Sequence, residues 1–377
     1  MINVNLERLI NEFIELIKID SETKFETEIA KVLLEKFKNL GLEVIEDNSA
    51  IKTGHGAGNL ICNLPASHDF IGGPTLLLTS HMDTVVPGQN IQPSIKDGYV
   101  VSDGTTILGA DDKAGIAVMI EVIKLLKEYK ATHGPIQFVI TAGEESGLVG
   151  AKEIDQSLLN ADYGYALDSD GAVGNLVVTA PYQAKFHVIV EGKSAHAGVA
   201  PEKGISAITI AAKSIAKMNL GRIDEETTAN IGSFQGGKQT NIVCDHVEIF
   251  AEARSLNQDK LDDLIKDISN KFITTAESLG GKANVDVQIM YPGYSHTSDS
   301  PVVKNAIEAR DILNYKGELL GSGGGSDANI FNGFNIPTAN LSVGYEEIHT
   351  TKERIHINEL EKLTQLVLTI ILNATKK

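Results

Sequence analysis

Only two cysteines occur in the 377 residues, Cys62 and Cys244. Two thiols are too few for a cysteine-based structural zinc site or a disulfide framework. Both lie in apolar, strand-like runs, so two buried free thiols are expected. No apolar run approaches the ~20 residues that a bilayer span needs. The opening stretch MINVNLERLINEFIELIKI alternates charged and apolar residues at helical spacing and carries no signal-peptide pattern, which makes cytoplasm the expected compartment. Positive charge is scarce as well. Against 50 Asp and Glu stand 33 Lys and Arg, for a net charge of -17. That balance argues against nucleic acid or an anionic membrane as partner, since both call for basic patches. Nothing repeats at solenoid period.

What is present fits a soluble globular chain of about two domains, with 42% hydrophobic and 22% charged residues. The first 40 or so residues read as two amphipathic helices. The second opens with Thr23 and Glu26 at capping-box spacing and carries Ile29, Leu33, Phe37 and Leu40 on one stripe. Thr75–Ser80 and Ile136–Thr141 have almost no polar alternation, as expected of strands buried on both faces, and Tyr163–Asp168 is a third strand. With a helix over Ala114–Tyr129, these predict an α/β sheet flanked by helices. Beyond Pro181 the texture changes to strand Lys185–Glu191, helix Gly204–Met218, strands Ala229–Phe234 and Val247–Arg254, helix Gln258–Leu279 and strand Asn284–Tyr291. The order βαββαβ is the ferredoxin-like split unit. Val247, Ile249, Ala251 and Ala253 alternate with Glu248, Glu252 and Arg254, the period of a sheet covered on one face only. After Pro292 the α/β texture returns, with helices near Pro301–Leu313 and Ile357–Asn373. The expected division is 1–180 with 293–377 as one domain and 181–292 as an inserted second.

Chemistry-bearing residues gather at predicted strand ends, where α/β sheets bind ligands. His81 and Asp83 follow the first buried strand, two apart, so the carboxylate is placed to orient the imidazole. Asp111 and Asp112 stand in GADDKAG before a helix, where an aspartate is also an ordinary N-cap. Glu144 and Glu145 follow the second strand between glycines, or simply open a solvated helix. Asp168 ends the third strand, in a stretch that also reads as a turn. His349 follows the apolar strand Thr338–Val343, with His356 a competing candidate. Each motif has an ordinary reading, but together they supply two imidazoles and several carboxylates to one sheet edge. That donor mix suits zinc, cobalt or manganese. Two such ions roughly 3.5–4 Å apart can activate a water and polarise a carbonyl.

These motifs resemble those of the di-zinc exopeptidases that include peptidase T, carnosinase, succinyl-diaminopimelate desuccinylase and acetylornithine deacetylase. The resemblance spans essentially the whole chain, and GTTILGADDKAGIA at 104–117 is most like the peptidase T branch. It implies two zinc ions per subunit, with cobalt or manganese as alternatives. His81, Asp111 and Asp168 match one ligand set, with Asp111 bridging in preference to Asp112. Glu145 and His349 match the other, on the family's HTxxE spacing. Glu144 matches the general base and Asp83 the residue that orients His81. The inserted domain matches a lid that also forms a homodimer. His196 in GKSAHAGVAPEKG resembles a histidine that reaches the partner's site. Asn241 and Arg254 resemble a pair that holds a substrate carboxylate, although Arg254 shares its face with Glu248 and Glu252 and also reads as a salt-bridge partner. Gly321–Asp327 resembles a substrate-contacting loop. The implied activity is metal-dependent cleavage of short peptides, tripeptides foremost. A dipeptidase or N-acyl amino acid deacylase uses the same chemistry. A non-catalytic relative is disfavoured because Glu144 and the whole ligand set are intact. The connection between the HxD and ADD motifs is shorter than in typical peptidase T, which bears on strict tripeptide specificity.

Overall fold

The computed structural model describes residues 2–375. The chain forms two compact units, one comprising the chain up to Thr179, Ser295–Ser322 and Ser326 onwards, the other Ala180–Tyr294 with Gly323–Gly325.

The first unit is built on a nine-stranded mixed sheet. At its centre lie four adjacent strands, in the order Ile136–Thr141, Leu76–His81, Tyr163–Ser169 and Thr338–Ser342. Each is parallel to its neighbour, so all four carboxyl ends emerge at one edge. Every residue of Leu76–His81 and of Ile136–Thr141 is buried, and the pleat sends alternate side chains into two different cores. Leu76, Leu78, Phe138 and Ile140 join the large cluster with the helices Leu6–Ile17, Ala110–Glu128 and Ile357–Ala374. Leu77 and Val139 join Ile61, Phe331 and Ile336 in a smaller one. A strand with a core on each side has no polar face to show, which is why its sequence lacks alternation. A second, four-stranded sheet runs Tyr345–Glu346, Arg354–His356, Tyr99–Val101, Ser94–Lys96.

Close packing sets some residue types. A Cβ on Gly115, in the helix Ala110–Glu128, would lie 2.8 Å from Leu167 O, Ser80 Oγ and Asp112 Oδ1 alike, so only glycine lets this helix approach the sheet so closely. The expected capping box at Thr23 is not formed. The helix Thr27–Asn39 begins after Glu26, which makes no side-chain cap bond to it. Glu26 is instead buried and accepts the N–H of Lys24 and Gly56, each at 2.8 Å, because the chain turns back there to meet residue 56.

The second unit has its own core and a five-stranded antiparallel sheet, in the order Gly221–Arg222, Thr227–Gly236, His246–Ser255, Tyr182–Glu191, Lys282–Tyr291. Without the short first strand, the order and the two helices Ala207–Ile215 and Gln258–Ser278 are those of the ferredoxin-like unit. Both helices start on side-chain caps, Ser206 to Thr209 N and Asn257 to Lys260 N. The cysteines form no disulfide. Cys62 is buried as expected, but Cys244 is partly exposed, because it sits in the loop before its strand and not within it.

Candidate active site

The four parallel strands bring their motifs to a common edge. His81 is the last residue of its strand, and Glu144 and Glu145 follow theirs after two intervening residues, Ala142 and Gly143. Asp168 stands near the end of a third. His349 lies in the turn between Tyr345–Glu346 and Arg354–His356. Asp111 sits at the start of the helix Ala110–Glu128, where Asp111 and Asp112 both depart from helical angles.

Asp111 is the hub. His81 Nε2 is 3.0 Å from its Oδ1, and His349 Nε2 is 3.1 Å from its Oδ2. Each carboxylate oxygen thus serves a different imidazole. Asp168 Oδ1 lies 3.7 Å from His81 Nε2, and Glu145 Oε1 lies 2.9 Å from His349 Nε2. Donor atoms of His81, Asp111 and Asp168 fall within 4.8 Å of one another, as do those of Asp111, Glu145 and His349, and those of His81, Glu144 and Glu145. Asp112 belongs to none of these groups. It is fully buried and receives the Ser80 hydroxyl. His356 is also elsewhere, accepting Asn358 N at the start of the last helix with its ring against Tyr99.

Charge in this cluster is crowded with one sign. Burial, together with the neighbouring charge of Asp168, pushes the Glu144 carboxyl well above its usual range. Burial does the same to Asp168, with Asp111 adding to it. Burial opposes protonation of His81, yet its contacts with Asp111 and Asp83 hold it well above the ordinary range. Contacts with Asp111 and Glu145 raise His349 to about 10. Both shifts have one cause, the carboxylates that surround the two imidazoles. One imidazole proton cannot serve two acceptors, and Glu145 Oε1 is buried with no hydrogen bond despite its nearness to His349. A buried carboxylate oxygen without a donor, in a cage of carboxylate and imidazole donors, fits a divalent cation well.

Supporting contacts include several that the sequence does not announce. Asp83 does more than meet its histidine. His81 Nδ1 is 2.9 Å from its backbone carbonyl and 3.5 Å from its carboxylate. The carboxylate itself accepts Glu144 N at 3.0 Å and Glu145 N at 3.2 Å. Asn340 accepts Asp168 N and donates to Asp168 O, while the Tyr345 hydroxyl donates to Asp168 Oδ1. His55 holds the Ser146 hydroxyl at 2.8 Å, beside the glutamate pair. Glu353 accepts three backbone N–H groups around Asp111. The spacing HTTKE hinted at Glu353 and the HxD pair at the contact of Asp83 with His81, but the remaining partners are distant in sequence and leave no local pattern.

Residues 77–373 match the model of Peptidase family M20/M25/M40. The chain belongs to this family. As an M20 peptidase it is a metal-dependent hydrolase of peptide bonds. The solved aminopeptidase PepT of Bacillus cereus is 62% identical, covering 98% of this chain and 99% of its own, with a TM-score of 0.94. A tripeptidase of Staphylococcus aureus is 51% identical over 99% and 100% of the two chains, at a TM-score of 0.95. Peptidase T of a Geobacillus species is 26% identical, over 96% of this chain and 97% of its own.

In the second unit, His196 and Asn241 are exposed on adjoining segments that pair through Ala197 N and Asn241 O at 2.9 Å. Arg254 donates from Nε to Glu252 Oε1 at 3.0 Å and from Nη1 to Gly323 O at 2.9 Å. Glu248 pairs with His187 instead. No described helix is long and apolar enough to cross a membrane.

Proposed function

We propose that this M20 peptidase is an aminopeptidase of short peptides, tripeptides foremost, working with two zinc ions per subunit. The observation that carries the reading is Asp111, whose two oxygens face two different histidines. His81 and Asp168 would complete one ion's set, and Glu145 and His349 the other's, with cobalt or manganese as substitutes. Bound there, the ions supply Lewis acidity and lower the pKa of the attacking water. Glu144 takes that water's proton and passes it to the leaving amine. Asp83 holds the backbone of Glu144 and Glu145 in register through their N–H groups. The tripeptide preference rests on likeness to the Staphylococcus aureus tripeptidase and the Bacillus cereus aminopeptidase.

Arg254 and Asn241 are assigned to the substrate's carboxylate. Arg254 keeps a guanidinium edge toward Glu252 and one nitrogen on Gly323 O, so carboxylate binding requires the arginine to exchange one of these partners. His196 is assigned to the oxyanion in the partner's site of a homodimer formed through the second unit. A cytoplasmic setting suits the two free thiols.

The test is a panel of tripeptides, dipeptides, N-acyl amino acids and tripeptide C-terminal amides, run on metal-free protein with zinc, cobalt or manganese restored. Tripeptides should show the highest kcat/KM, and Arg254→Ala should damage tripeptide turnover far more than turnover of the amides. Preferential cleavage of N-acyl amino acids or dipeptides would replace this reading with the deacylase or dipeptidase one. Equal damage to free and amidated peptides would leave Arg254 a salt-bridge residue.

A further inference from the structure

Leu108, Gly109 and Asp111 lie where the chain turns into the helix Ala110–Glu128. The N–H groups at such a point have no acceptor within the helix itself. Leu108 and Ala110 are fully buried, Asp111 nearly so, and Gly109 is left-handed at φ 75°. Water is therefore not at hand, and another partner is needed. Glu353 supplies it. Its Oε2 accepts Leu108 N and Gly109 N, both at 2.8 Å, and its Oε1 accepts Asp111 N at 3.0 Å. The residue is itself only 2% exposed. It belongs to the same turn as His349, and its own N–H bonds Thr350 O at 3.1 Å.

We propose that Glu353 is a positioning residue that sets the orientation of Asp111 and ties it to His349, so that both candidate metal positions depend on it together. The inference rests on the two-ion reading above. Its physical basis is the division of labour within Asp111. The side chain is shared between His81 and His349, so only its backbone can be held from outside, and Glu353 holds that backbone directly. A carboxylate accepts at both oxygens without donating at either. Glutamine in its place has one acceptor oxygen and an amide NH2 that confronts a backbone N–H, so at least one of the three bonds is lost. The tilt of the Asp111 peptide then changes, and with it the direction of both carboxylate oxygens. Loss of a single ligand such as His349 weakens one position first. Loss of Glu353 weakens both.

The experiment titrates metal-free protein with cobalt, following the visible absorption that reports ligand number and geometry, alongside tripeptide kinetics. The unaltered protein should take two ions per chain. Glu353→Gln should still take two, but with both affinities about 10-fold to 100-fold weaker, the scale usual for groups that hold metal ligands in place. Its cobalt spectrum should be altered, and kcat should fall more than KM rises. Glu353→Asp, which keeps the charge but retracts it by one methylene, should show the same change in direction. Cobalt affinity, spectrum and kcat all at the level of the unaltered protein in Glu353→Gln would overturn the proposal. So would a melt in which neither variant folds without metal, since Glu353 would then serve the fold and not the site. If the unaltered protein itself failed to bind two ions, or kept both after His81→Ala, the two-ion reading would fall independently of Glu353.

Discussion

The two adjacent glutamates carry different proposed roles although their carboxylates lie close together. The Glu145 side chain is nine-tenths buried beside His349, and both glutamates group with His81. Both backbones are held by the same Asp83 carboxylate. Glu144→Gln keeps volume and hydrogen-bonding capacity while removing the proton acceptor. It should lower kcat by about 100-fold to 10,000-fold, the usual range for a general base. Metal content, measured on the same preparation, should stay at the level of the unaltered protein, because the proposed coordination does not use that group. A variant that loses metal while Glu145→Gln retains it would reverse the two assignments.

Among the elements, the helices Leu6–Ile17, Thr27–Asn39 and Ala110–Glu128 are joined by a charged clasp. Glu12, on Leu6–Ile17, is 9% exposed and receives Lys124 of Ala110–Glu128 at 2.7 Å. Lys36 of Thr27–Asn39 lies 2.8 Å from its other oxygen, an ion pair by distance without the alignment of a hydrogen bond. Burial alone would raise the Glu12 carboxyl, but Lys124 and Lys36 hold it below its ordinary value. A depressed carboxyl stabilises above its unfolded pKa, and that contribution fades as pH falls through the folded pKa. Glu12→Ala should therefore lower unfolding free energy by about 2 kcal/mol at neutral pH, the scale of a hydrogen bond to a charged group. Denaturant titration should show the gap between the two proteins narrowing in acid. A gap independent of pH would mean that packing, not charge, holds the helices there.

The buried strands were legible because Leu76–Leu78 and Ile136–Ile140 have no polar alternation, and the split βαββαβ order was legible from period-two patterning around Val247. Boundaries were less so. The helix Ala110–Glu128 was expected to begin at Ala114, because propensity does not register the irregular turn at Asp111 and Asp112. The Thr23–Glu26 capping box failed for the opposite reason, a sound local signal overridden by the N–H of Gly56, 30 residues away. A still greater separation in sequence hid the contacts that Glu353 and Asn340 make. Their motifs carry no periodicity, and their partners lie more than 170 residues off.

At the scale of the whole molecule, the proposed homodimer would make each site depend on two chains. His196 stands exposed in the second unit, in a loop containing Gly192, Gly198 and Gly204. If it completes a partner's site, mixing His196→Ala chains with Glu144→Gln chains should restore activity. Each mixed dimer would hold one site with both natural residues and one with both defects. Exchange is verified with two affinity tags, and full exchange without recovered turnover would reject action across the interface.

The four parallel strands have a further consequence for how the site comes into being. Its residues are gathered from positions 81, 111, 144, 145, 168 and 349, and the carboxylate that steadies position 111 waits until 353. On the proposed assignment, a chain emerging from the ribosome carries the whole set of His81, Asp111 and Asp168 after fewer than half its residues are made, yet cannot finish the other set until the second unit has been synthesised and passed. An ion captured early would meet a half-built seat. On that assignment full loading would be a property of the finished chain, and a truncated one would announce itself by an incomplete complement of metal.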